Sequence, residues 1–171
     1  MSLDEYRCLY YGYIFQNRYN PYWHSKQSEV LNSIYSKEPL SSSDCDTIIK
    51  YATLSIDDNP FDMRQIKMLA YAYHFKGDDL MSVKWYLKKI GLTDAILSTG
   101  DGRTCESGFC VISTSNEYEI LQVYKLKFKQ QSLSKDYHCD CMTVENPSHE
   151  TDYIYFDIWR MMQAEMKELN K

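Results

Sequence analysis

Four of the six cysteines fall into two close pairs. Cys105 and Cys110 form C-x4-C in "CESGFC", and Cys139 and Cys141 form C-x-C in "DYHCDC". Four thiolates are the donor set of a tetrahedral zinc site, and a neighbouring histidine, here His138, can replace one of them. The usual metal spacing is C-x2-C, and neither pair has it. In an exported chain six cysteines would instead form disulfides, and Cys105–Cys110 is the easiest pair because it closes a short loop. The remaining alternative is buried thiols that pack as small apolar side chains.

Glu117 and Glu119 lie two apart in "NEYEIL". In a strand they would share a face at about 7 Å, a separation at which paired carboxylates do glycoside chemistry. Alternating charge on the wet face of a strand gives the same pattern. No nucleophile motif of the G-x-S-x-G kind is present. "TGDG" lacks the lysine of a phosphate loop and reads as a helix stop and turn. His24, His74, His138 and His149 are scattered without metal spacing. No cofactor motif appears, and the chain reads as non-catalytic.

The elements that must position these residues change character along the chain. Residues 4–16 have helical spacing, with Leu9, Gly12, Tyr13 and Gln16 able to share a face. "QNRYNPYW" breaks that pattern because a residue before proline is pushed away from helix. A short helix is expected over 26–36. After "SKEPLSSSD", Ser43 or Asp44 would cap a helix carrying Ile48, Ile49, Ala52 and Ile56. A helix from about Asp62 holds Ile66, Leu69, Ala70 and Tyr73 on one face. "KGDD" turns the chain, with Gly77 at C′. The helix after it runs to about Ser98 with Val83, Tyr86, Leu87 and Ile90 inward. The period then shortens. "FCVIS", "YEILQVYKLKF" and "DYIYFDI" read as strands, the second with Tyr118, Ile120, Tyr124, Leu126 and Phe128 on one face and Lys125, Lys127 and Lys129 on the other. A helix over about 159–169 closes the chain. Helices first and strands after predict an α+β fold: helical hairpins on a small antiparallel sheet with a C-terminal helix, forming one domain whose first hundred residues are helical.

Residues 60–90 resemble a tetratricopeptide repeat. Ile66, Leu69, Ala70 and Tyr73 fall on the first helix's signature positions, Ser82 on the small position of the second helix and Tyr86 on its aromatic position. Lys89 departs from the pattern, since a small residue is expected there. The resemblance implies that the first helix lines a groove showing Arg64, Lys67, Tyr71, His74 and Phe75. Cations beside aromatics suit an acidic peptide or a terminal carboxylate.

Over nearly its whole length the chain is also similar to an uncharacterised Bacteroides-type domain family with no assigned activity. "LDEYRCLYYGYIFQNRYNPYW", "NPFDMRQIKMLAYAYHFKGD", "DAILSTGDG" and "YIYFDI" carry the resemblance. Members of that family typically begin with a signal peptide and about fifty further residues. The resemblance therefore implies export to the periplasm or cell surface, with this chain starting inside that region. "MSLDEYRCLY" itself has neither the basic start nor the apolar stretch of a signal peptide.

Composition narrows the partners. The net charge is −5 with no block of Lys or Arg, which excludes a nucleic-acid partner driven by counterion release. No apolar run approaches the roughly 20 residues that span a bilayer. Sixteen tyrosines, crowded at Tyr6, Tyr10, Tyr11, Tyr13, Tyr19 and Tyr22 and followed by Trp23, offer apolar bodies with polar tips for interfaces or sugar stacking. The expected function is a non-catalytic binding module for a peptide or protein. The alternatives are a carbohydrate-associated surface protein and a small hydrolase or metal protein built on the cysteines or on Glu117 and Glu119.

Overall fold

Helix starts in this chain are written as hydroxyl and carboxylate caps. In the computed structural model, which describes residues 1–37, 39–135 and 138–169, α1 (Leu3–Gly12) begins at Ser2. The Ser2 hydroxyl accepts the Glu5 N–H at 3.3 Å, and the Glu5 carboxylate accepts the Ser2 N–H at 2.6 Å. This is a capping box, which satisfies two orphan donors at once. α2 spans Ser28–Tyr35. α3 (Ser42–Asp58) repeats the box with Ser41 and Asp44, so the expected cap at Ser43 or Asp44 moves back to Ser41, and Asp44 is its partner three residues on. α4 (Met63–Phe75) starts at Asp62, whose carboxylate accepts the Gln65 N–H at 3.3 Å. It ends as expected at Gly77 in the left-handed region, with φ +78°. The Asp78 N–H reaches the Tyr73 carbonyl and the Gly77 N–H the His74 carbonyl, both at 2.9 Å, the two bonds of a Schellman motif. The Asp78 carboxylate then accepts the Met81 N–H at 3.1 Å and starts α5 (Asp79–Leu97).

The second half contains β1 (Phe109–Cys110), α6 (Thr114–Val123), β2 (Lys127–Leu133), β3 (Cys139–Glu145), β4 (Thr151–Asp157) and α7 (Trp159–Leu169). The fold is α+β, with seven α-helices and a four-stranded sheet among the described residues. Asp136 and Tyr137 of "DYHCDC" and Glu38 of "SKEPLSSSD" lie outside the described residues. The chain forms two compact units, Trp23–Leu92 and Met1–Tyr22 with Thr93–Lys171.

In the unit Trp23–Leu92, α3 and α4 bury Ile48, Ala52, Ile56, Met63, Ile66 and Leu69 together with Leu31 and Ile34 of α2. The Ser55 hydroxyl donates to Asp62 at 3.0 Å inside this core, so the α4 cap is itself held from α3. The Ser82 hydroxyl donates to the Ala70 carbonyl at 2.9 Å and ties α5 to α4. The stripe expected to face inward on α5 is exposed instead: Val83 52%, Tyr86 57%, Leu87 55% and Ile90 36%. α5 is apolar on two sides. Its buried side carries Leu92, Ala95 and Ile96, about half a turn away at 100° per residue. Periodicity marks an apolar face but does not choose between two of them.

In the other unit the sheet order is β1-β4-β3-β2. β1 runs parallel to β4, and the other neighbours are antiparallel, so the expected antiparallel sheet is mixed. Met142 pairs with Ile154, and Cys141 with Tyr155. Met142, Val144, Ile154 and Phe156 are buried on one face, as are Ile120 and Leu121 of α6 and Met161 of α7. β2 is the edge and is exposed along its whole length.

"EYEILQVYKLKF" is not one strand. It is the end of α6, a turn, and the start of β2. The turn is another Schellman motif: the Leu126 N–H reaches the Leu121 carbonyl and the Lys125 N–H the Gln122 carbonyl. Lys125, at φ 56°, holds the left-handed position usually given to glycine, so the sequence shows no helix stop there. At the N-terminus the buried face also differs from the expected one. Leu9 is 54% exposed, whereas the expected Tyr13 is buried together with Tyr10, which lies outside the expected face. The Tyr10 hydroxyl donates to Asn116 Oδ1 at 2.7 Å and accepts the Ile112 N–H at 3.2 Å, which fixes α1 to the start of α6.

Candidate functional site

The five residues assigned to a groove all lie on α4. They stand at i, i+3, i+7, i+10 and i+11 from Arg64, one continuous side of a helix, opposite the buried Ile66, Leu69 and Ala70. Tyr71 is 47% and Phe75 48% exposed. Arg64 is exposed and stacks over the Tyr35 ring at 5.0 Å, a cation–π contact that orients the guanidinium. Tyr35 in turn donates its hydroxyl to Gln65, and burial raises its phenol well above the ordinary range. Lys67 is half-buried. His74 Nδ1 lies 3.2 Å from Asp79, with both side chains largely in water, where an ion pair contributes little. On α5 the stripe Leu80, Val83, Tyr86, Leu87 and Ile90 is exposed. Lys84 and Lys88 both stand over the Trp85 ring, at 5.7 and 5.3 Å.

The four cysteines do not form a metal centre. Cys105 is joined to Cys139 by a disulfide, with Cα atoms 5.5 Å apart. The expected short-loop pair Cys105–Cys110 is therefore replaced by one that staples the loop after α5 to the first residue of β3. Cys110 is a free, buried thiol on β1. Arg160 of α7 donates to its sulfur at 2.7 Å and stacks over Tyr11 at 5.2 Å. Burial pushes the Cys110 thiol up to about 11 despite that guanidinium, which disfavours the thiolate form. Cys141 is a free, half-buried thiol on β3. Among the described residues no three His, Cys, Asp or Glu side chains stand together as a metal ion would require.

Glu117 and Glu119 sit on a helix and are buried, contrary to the expected exposed strand. Among the described residues neither carboxylate oxygen of Glu117 has a hydrogen-bond partner. Burial raises its carboxyl well above the ordinary range, and the neighbouring Asp140 of β3 raises it further. Asp140 is raised as well, by burial, while the Gln131 amide that donates to it works in the opposite direction. The acidic partner of Glu117 is thus Asp140, a pairing that sequence spacing does not reveal.

Sequence reasoning also missed a cleft of about 410 Å³ between the stretch that follows α1 and α7, lined by Phe15, Gln16, Asn17, Tyr19, Asn20, Tyr22 and Glu165 among others. The Tyr22 hydroxyl donates to Glu165 at 3.1 Å, and burial together with that carboxylate pushes the phenol up to about 12. The only sequence sign of it was the break at "QNRYNPYW", where amides and aromatics replace helical spacing.

Among the described residues no helix is long and apolar enough to cross a membrane. No curated protein matches the chain, and no solved structure does. A family model does match, over residues 1–167, and the chain belongs to that family, described as "Domain of unknown function (DUF4919)".

Proposed function

We propose that this protein is a non-catalytic binding module whose helical unit receives an acidic peptide segment of a partner protein. One observation carries the reading. Tyr71 and Phe75, one turn apart on α4, hold about half of their surface in water beside Arg64 and Lys67. Exposed aromatic anchors flanked by cations are the parts that a peptide with apolar and acidic positions engages. Their cationic character stands out in a chain of net charge −5, so the charge favours an acidic occupant. In this reading α4 and α5, joined by the Gly77 turn and the Ser82–Ala70 bond, act as a tetratricopeptide-like pair. The Cys105–Cys139 disulfide supports placing the protein in an oxidising compartment, in line with the exported Bacteroides-type family it resembles.

The test is selection from a displayed library of acidic peptides, repeated with Tyr71→Ser and Phe75→Ser. The reading requires peptides enriched on the parent chain and lost on both variants. Equal enrichment on all three proteins removes it.

A further inference from the structure

The cleft of about 410 Å³ beside α7 lies in the unit that carries the sheet and owes nothing to the helical face. We propose that it is a binding site for a neutral sugar, taking one pyranose ring of a glycan.

Its volume falls in the lower part of the roughly 300–1,000 Å³ range of ligand sites. A pyranose offers one apolar C–H face and a rim of hydroxyl groups. The cleft supplies a counterpart to each. Phe15 is 78% and Tyr22 41% exposed, and both residues line the cleft. An aromatic ring left so open at a cavity wall is unpaid apolar surface that a C–H face covers. Gln16, Asn17 and Asn20 also line it. Each amide both donates and accepts, as a sugar hydroxyl does.

Glu165 adds a carboxylate, and a charged acceptor gives the stronger hydrogen bond to a hydroxyl. The Tyr22 hydroxyl donates to its Oε2, which holds the carboxyl in place, and among the described residues Oε1 is left for a ligand. Among the described residues that line the cleft none is Lys or Arg, and a phosphate or carboxylate ligand would meet the negative charge of Glu165 there.

The walls are set before any ligand arrives. The Tyr19 hydroxyl donates to the Ile112 carbonyl at 2.8 Å, and the Tyr22 N–H donates to Asn20 Oδ1 at 2.9 Å. The second bond fixes the Asn20 amide, whose NH2 group is unspent among the described residues. Tyr13 and Tyr19 meet edge to face at 5.8 Å behind the wall. Walls fixed in this way reduce the ordering cost of binding.

The experiment is a screen of the full oxidised chain against an array of neutral glycans, followed by calorimetric titration of the strongest binder. Phe15→Ala, Glu165→Gln and a benzyltrimethylammonium control are run alongside. Phe15 is largely in water, so its removal leaves folding intact, and thermal melts of both variants confirm that. The expected result is a neutral glycan bound by the parent chain and weakened about tenfold by each substitution, the loss of one charged hydrogen bond or one stacking face. The proposal is overturned if the folded chain binds no neutral glycan, if both variants bind as the parent does, or if the ammonium control displaces the glycan and binds more tightly.

Discussion

Glu117 on α6 and Asp140 on β3 bring two carboxyl groups together inside one unit, and Glu117 has no exposed surface at all. Two negative charges in a low-dielectric interior repel strongly, so Glu117 keeps its proton at pH values where a surface carboxyl has lost it.

This gives stability a definite pH dependence. Glu117 is raised in the fold above its ordinary value of 4.5, so the folded state binds more protons than the unfolded one above that value. The contribution of Glu117 to stability is therefore greatest below the ordinary carboxyl range and falls as pH rises toward the folded value, by up to about 1.4 kcal/mol per pH unit for one proton. Glu117→Gln removes the titrating group. Denaturant melts at about pH 5 and pH 8 should show the variant gaining on the parent as pH rises. Parallel losses in the two proteins would contradict the assignment.

The disulfide makes a second prediction. Cys105 and Cys139 are 34 apart in sequence, and closing a loop of that length stabilises by about 4 kcal/mol on the chain-entropy account. Reduction, or Cys105→Ser with Cys139→Ser, should lower the denaturation midpoint accordingly, and intact mass should show the loss of two hydrogens per oxidised chain. In the unreduced protein a thiol reagent should modify the exposed Cys8 first and leave the buried Cys45 and Cys110 untouched until unfolding. Early labelling of Cys110 would contradict its burial.

Tyr10 anchors α1 through Asn116 and Ile112. Tyr10→Phe keeps the packing volume and strands those two buried polar groups. The expected cost is about 1–3 kcal/mol, read from equilibrium unfolding. A change near zero would mean that water takes over the hydroxyl's place.

Much of the helical unit was legible from local rules. The stripe at Ile66, Leu69 and Ala70, the Asp62 start and the Gly77 stop all appear in the structure, because a cap, a periodicity and a left-handed glycine are encoded within a few residues. What failed depended on distant partners. "EYEIL" has strand propensity but is helix, and its end hides behind a lysine at positive φ. The α5 stripe looked like a core face because periodicity cannot tell a covered apolar side from an open one. Cys105 found Cys139 rather than Cys110, since pairing follows which cysteines the fold brings within reach and not the shortest loop. The cleft draws on residues 14–22 and 164–165, which no window of the sequence brings together.

The central claim is an acidic-peptide site on α4, and fluorescence anisotropy with a selected acidic peptide tests it most directly. The parent chain is compared with Arg64→Glu and Lys67→Glu at low and near-physiological salt. The account predicts binding that weakens as salt rises and falls at least about tenfold, or 1.4 kcal/mol, with each charge reversal, while melting behaviour stays that of the parent. Full affinity in both folded variants would contradict it.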